Sequence, residues 1–193
     1  MASATNAGPA VALRSSQAAH LQGQMRRVWE DHVFWTRLFI VSFANSLPDL
    51  HATTARLLRN QNQIGNEFAV FYGDAASDHL TSLLRQHILL AAQILKDAES
   101  GNSEAFQRDV QAWYSNADRI AEFLHSLNPA NWPLDALRTM MHEHLALTLT
   151  EASDYLHGMF TKSVKDFHSV EDEILHMANT LTFGIVQQFP GRF

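Results

Sequence analysis

Residues 80–95, LTSLLRQHILLAAQIL, decide the fold. Leu80, Leu83, Leu84, His87, Ile88, Ala91, Ile94 and Leu95 recur every three or four positions, which puts them on one face of an α-helix. A strand needs alternation with period two, and no segment of the chain sustains it with β-branched residues. Working outwards, the same spacing predicts six helices, over about 25–45, 48–71, 77–98, 103–126, 133–157 and 162–188. Pro48 suits a first helical turn, where its missing N–H costs nothing. Asn102-Ser103 is a predicted N-cap, and Gly73, Gly101 and Gly158 are predicted stops. The clearest break is Asn128-Pro129-Ala130-Asn131-Trp132-Pro133. Helices of matched length, each roughly 30 Å at 1.5 Å per residue, pack as antiparallel neighbours when short loops join them. The expected fold is therefore all-α: an antiparallel up-down bundle of about six helices. Residues 25–193 are expected to form its single domain, and no internal repeat at a fixed period stands out.

The totals agree. A chain of 193 residues with 46% hydrophobic and 18% charged side chains can bury one sizeable core. The formal charge of −6 offers no broad basic face for nucleic acid and no polybasic membrane patch. No apolar run approaches the roughly 20 residues that cross a bilayer, so a cytoplasmic location is expected. Cys is absent, which excludes disulfides, thiolate metal sites and Cys nucleophiles. Residues 1–24 carry Ala, Ser and Gln, no acidic residue and a single Arg, Arg14; they are expected to be a disordered tail, with organelle targeting as the alternative.

Several polar residues fall on the apolar faces. His87 sits mid-stripe among leucines. His144 follows Leu137, Met140 and Met141, and Thr148 and Glu151 continue its stripe. His32 lies between Trp29 and Thr36; Asn116 flanks Trp113–Ile120; Asn60 and Gln61 lie between Leu57 and Ile64. Burying such groups without partners costs a few kcal/mol each, so they must meet one another, water or a ligand. With equal offsets on parallel helices, His87 and His144 are expected at one height of the bundle, with Asn116 nearby and His32 about one turn lower. Without Cys, a metal here would rest on His, and a divalent transition metal suits His32, His87 and His144. The Glu-x-x-His pattern of ferritin-like di-metal bundles is a poor match at the inward His residues, because Glu30 lies only two residues before His32 and Glu143 directly precedes His144. His168, Asp172 and His176 share a face that is expected to be solvated, and Asp154, His157, Glu171 and Glu173 add local charge there. Arg37 is a candidate ion-pair partner for Asp49.

Five strings carry a resemblance: Trp29-x-x-His32-x-x-Trp35-Thr36-Arg37, Leu57-Leu58-Arg59-Asn60, Phe71-Tyr72-Gly73, Trp113-Tyr114-x-Asn116-Ala117-Asp118 and His144-Leu145-x-Leu147-Thr148. Over about 25–189 the chain resembles a family of small helical bacterial proteins known from bacilli, for which no activity is established. The resemblance implies a motif set of His32, Thr36, Arg37, Asn60, His87, Asn116 and His144. The functional expectation is a binding protein whose His-lined pocket takes a metal ion or small ligand, with Thr36, Arg37, Asn60, Asn116, Thr148 and Glu151 around it. The alternative is a structural or interaction module whose inward polar groups only fix helix packing. A third expectation is an acid–base enzyme using His32, His144 and Glu151.

Overall fold

The computed structural model describes residues 15–193 and forms α1 (Ser16–Ala44), α2 (Leu50–Tyr72), α3 (Asp74–Ser100), α4 (Ser103–Leu127), α5 (Leu134–Leu156) and α6 (Phe160–Gln188), with a closing 3₁₀ turn at Pro190–Arg192. Most local signals act as expected, but α2 starts at Leu50 after the N-cap Asp49, so Pro48 lies before the first turn it was expected to occupy. Asn102 caps α4 by accepting from Ala105 N at 3.1 Å. Gly73 alone joins α2 to α3, and its φ of +82° reverses the chain in one residue, a conformation that a Cβ disfavours.

α1 begins nine residues before the expected start at 25, so the expected tail is corrected over residues 16–24. Ser15 caps it by accepting from Ala18 N, and Ala18, Leu21, Met25 and Val28 continue its buried stripe. Gln and Gly dilute that stripe, but a bond to α6 holds the turn: Gln22 Nε2 donates to Asn179 Oδ1 at 2.9 Å. The rest of the expected tail, residues 1–14, lies outside the described residues.

The helices form a closed ring in chain order, with α6 returning against α1. Across every seam the paired numbers run in opposite directions, so all neighbours are antiparallel. Val28 meets Asn60 while Asp31 meets Arg56, and Gln22 meets Asn179 while Arg37 meets Ser163. Arg85 meets Leu58 while Gly65 packs on Ser77. His79 meets Phe123 while His87 meets Asn116; Asp118 meets His142 while Glu122 meets Arg138. His144 meets Glu173 while Asp154 meets Lys162.

The buried positions repeat by hairpin. Val28, Trp29, His32, Val33, Phe39 and Ile40 of α1 recur 55 residues later in α3 as Leu83, Leu84, His87, Ile88, Ile94 and Leu95. Another 57 residues on, α5 buries Met141, His144, Leu145, Glu151 and Ala152 at the positions of Leu84, His87, Ile88, Ile94 and Leu95. Trp113, Asn116, Ala117 and Ile120 of α4 recur in α6 as Val170, Glu173, Ile174 and Met177. The bundle is thus three helical hairpins around one axis. The repeat lies in the burial pattern, while residue identities largely differ, so the sequence shows no fixed period.

Candidate functional site

The odd helices α1, α3 and α5 run the same way, and each delivers one His to the axis. The His32 and His144 ring centroids are 5.7 Å apart, and those of His87 and His144 are 6.5 Å apart. All three residues are buried, at 3–4% exposure. His32 therefore joins the layer, closing the one-turn offset expected from helix ends: α1 extends further back than predicted, so His32 lies deeper within its helix.

Each Nδ1 points to the second helix of its own hairpin, 29 residues along the chain. His87 Nδ1 donates to Asn116 Oδ1 at 2.9 Å, an oxygen that can only accept. His144 Nδ1 donates to the buried Glu173 Oε2 at 3.1 Å. Both bonds use Nδ1 as the donor, so in a neutral ring Nε2, on the opposite edge, keeps its lone pair. His32 differs. Gln61 Nε2 lies 3.4 Å from its Nδ1 and also donates to Leu57 O and Asn60 Oδ1.

Burial removes water from these rings and favours their neutral form. His87 is held down at about 3, first by desolvation and then by the neighbouring His144, against a raising bond from Asn116. His32 is lowered well below the ordinary value by the same desolvation and by His144 and His87. Both are neutral imidazoles at neutral pH, the form that ligates metal.

The surroundings are polar but incompletely bonded. Among the described residues, the indole nitrogens of Trp29 and Trp113, Thr148 Oγ1, Gln61 Oε1 and Glu173 Oε1 are buried without a hydrogen-bond partner. Trp113 packs on His87 at 5.1 Å and Trp29 on His32 at 6.1 Å between centroids. A cavity of about 30 Å³ lies one turn along the odd helices. Thr36, Ala91 and Thr148, each four residues beyond its His, line it with Trp113. It has room for a water-sized guest. The cavity shares Ile94, Leu95, Leu149 and Ala152 with a larger groove of about 540 Å³ at the α3–α4 connection.

The other expected site residues divide. Asn116 belongs to the layer, and Thr148 lines the cavity one turn beyond it. Thr36 lines the cavity, but its hydroxyl donates to His32 O at 2.8 Å. Asn60 is occupied by structure: its Nδ2 donates to Val28 O at 2.9 Å, as Asn116 Nδ2 does to Leu83 O at 3.2 Å in the next hairpin. Arg37 does not pair with Asp49. It pairs with Glu151 and donates to Ser163 Oγ at 3.1 Å, tying α1 to α5 and α6 under the Phe167 ring. Burial pushes the Glu151 carboxyl up despite the bond and charge of Arg37. Glu151 thus serves an inter-helix ion pair, at the position where the other hairpins bury Phe39 and Ile94.

Glu173 and Asp154, both expected with the solvated face, are buried instead, at 8% and 4% exposure. For Glu173 the signal was present: Val170, Glu173 and Met177 are spaced as i, i+3 and i+7 on the buried stripe of α6. His168, Asp172 and His176 are exposed, as expected. Among the described residues, no three His, Asp or Glu side chains stand at the spacing of an assembled metal site. No known protein family, curated protein or solved structure matches the chain.

Proposed function

We propose that this protein binds one divalent transition metal ion between His32, His87 and His144 through their Nε2 atoms. The carrying observation is the convergence of three buried imidazoles from three hairpins, each with Nδ1 engaged by the partner helix. A hydrogen-bonded second nitrogen is what orients metal-ligating His, and a carboxylate such as Glu173 raises the basicity of the ring it holds. Nitrogen ligands at about 2.0–2.1 Å around a tetrahedral ion would bring neighbouring ring centroids to roughly 5.2 Å. The two centroid distances of 5.7 and 6.5 Å exceed this by about 0.5 and 1.3 Å, a closure within reach of side-chain rotation. A fourth position would face the cavity and Thr148, whose hydroxyl would hydrogen-bond a water or small oxygen ligand. The lowered proton affinity of His32 disfavours the acid–base alternative, since a group shifted well below its ordinary value is a poor proton acceptor at neutral pH. This reading agrees with the motif set that the bacillus-type resemblance implies.

A second reading has its own observation. Gln61 presents a donor to His32 Nδ1, which would put the His32 proton on Nε2 and let it bond a sibling ring; the layer is then a polar spacer that sets helix register. Metal binding requires Gln61 to turn or His32 to change tautomer.

Elemental analysis and calorimetry on protein purified without a His tag separate the two. One Zn²⁺ or Co²⁺ per chain, lost in His87→Leu and His144→Leu while the bundle stays folded, is the expected result. Co²⁺ should also give the visible bands of a four-coordinate site. Absence of binding at micromolar metal sinks the proposal and leaves the spacer.

A further inference from the structure

The large groove beyond the His layer has chemistry of its own. Its floor is apolar, built by Ile94, Leu95, Phe106 and Leu149. Two carboxylates, Asp97 and Asp154, stand in its wall beside His157, whose Nδ1 donates to Ser153 O at 2.7 Å, and among the described residues no Lys or Arg lines it. Asp154 is already neutralised, because Lys162 Nζ donates to its Oδ2 at 2.5 Å. Asp97 is not. It is 6% exposed; Gln93 donates to its Oδ1 at 2.9 Å, and its Oδ2 meets no donor among the described residues. A buried carboxylate without a cation or a full set of donors is costly, and here it borders a space large enough to hold the missing partner.

The helix ends add charge of the same sign. α3 finishes at Ser100 and α5 at Leu156, so two carbonyl-bearing C-termini reach the groove, and neither last turn carries a basic side chain. The N-terminus of α4 also lies here, but its positive end is answered by the Asn102 cap and by Glu104 in its first turn. The groove is therefore apolar at its floor and negative at its wall.

We propose that this groove binds a small organic cation, a primary alkylammonium, with its chain along the apolar floor and its ammonium against Asp97. A volume of about 540 Å³ lies in the range of small-molecule sites. The proposal does not depend on a metal in the His layer.

Hexylamine, hexanol and hexanoate, titrated calorimetrically into the full chain at pH 7, test it. Hexylamine should bind at least about tenfold tighter than hexanol, and hexanoate weakest, because a hydrogen bond between charged partners is worth that much or more. Asp97→Asn keeps the shape and should bring hexylamine down to the hexanol level while leaving hexanol unchanged. Ala98→Trp, at an exposed position on the groove lip, should block all three without touching the core. If hexylamine binds no tighter than hexanol, or if either variant leaves its affinity unchanged, the proposal is overturned. Should Asp97→Asn fail to fold, the alcohol comparison and Ala98→Trp decide alone.

Discussion

His87 illustrates how burial turns an imidazole into a pH-sensitive element of stability. Its folded-state value of about 3 lies below the ordinary value near 6.5, so the unfolded chain takes up a proton that the folded chain refuses. Its stability contribution is complete above about pH 6.5 and is lost as pH falls towards 3, at about 1.4 kcal/mol per pH unit. His32, also lowered, steepens the loss. Urea midpoints should therefore fall between pH 6.5 and 4.5, and His87→Leu should flatten that slope. The variant starts from a lower midpoint, since Asn116 Oδ1 loses its donor at about 1–3 kcal/mol. An unchanged slope would show that His87 titrates normally. Arg37 presents the opposite sign. Arg37→Leu strands the buried Glu151, at about 3–5 kcal/mol at pH 8, which the partial exposure of Arg37 reduces. Because the Glu151 carboxyl is already raised, its protonation relieves part of that loss, so the variant should be less destabilised at pH 5 than at pH 8. Paired denaturation at the two pH values reads the difference.

At the scale of elements, the six helices follow from three- and four-residue spacing, and their seams follow from small contacts that spacing does not encode. α6 packs against the 128–133 connection through Gly184. A Cβ there would stand 1.9 Å from Trp132 Nε1, and the Gly184 carbonyl accepts from Asn128 Nδ2 at 2.9 Å. Trp132 is fully buried between Phe68 and Tyr72, so its indole has nowhere to move. Gly184→Ala should cost about 1–3 kcal/mol through overpacking, even though Ala favours helix, and should red-shift tryptophan emission. A variant as stable as the parent would mean that Trp132 relaxes freely.

Across the whole molecule, the three His residues link hairpins whose His positions are 55 and 57 residues apart, so a metal held by all three would staple distant segments. Binding confined to the folded state stabilises it by about 2.7 kcal/mol when free metal is a hundredfold above Kd. Zn²⁺ should therefore raise the melting temperature by several degrees in the parent and by none in His144→Leu. A shift of equal size in both proteins would place the ion elsewhere. Among the described residues no helix is long and apolar enough to cross a membrane.

The sequence by itself determined the helices, their number and breaks, and the inward polar set, because a helix periodicity is local: residues three or four apart share a face whatever surrounds them. It also determined that His87, His144 and Asn116 share one level, since equal offsets on matched helices mean equal height. Tertiary structure decided the rest. The start of α1 depends on α6, whose Asn179 holds a turn too poor in apolar residues to announce itself. Arg37 could pair with any carboxylate in reach, and only the ring closure that sets α1 beside α5 and α6 chose Glu151 over Asp49. Glu173 read as surface charge because its type outweighed its spacing; the buried imidazole of His144 across the α5–α6 seam supplies the donor that makes its burial tolerable. The threefold arrangement of hairpins is likewise invisible in residue identities, because burial constrains where a side chain points and how much space it fills before it constrains which side chain it is.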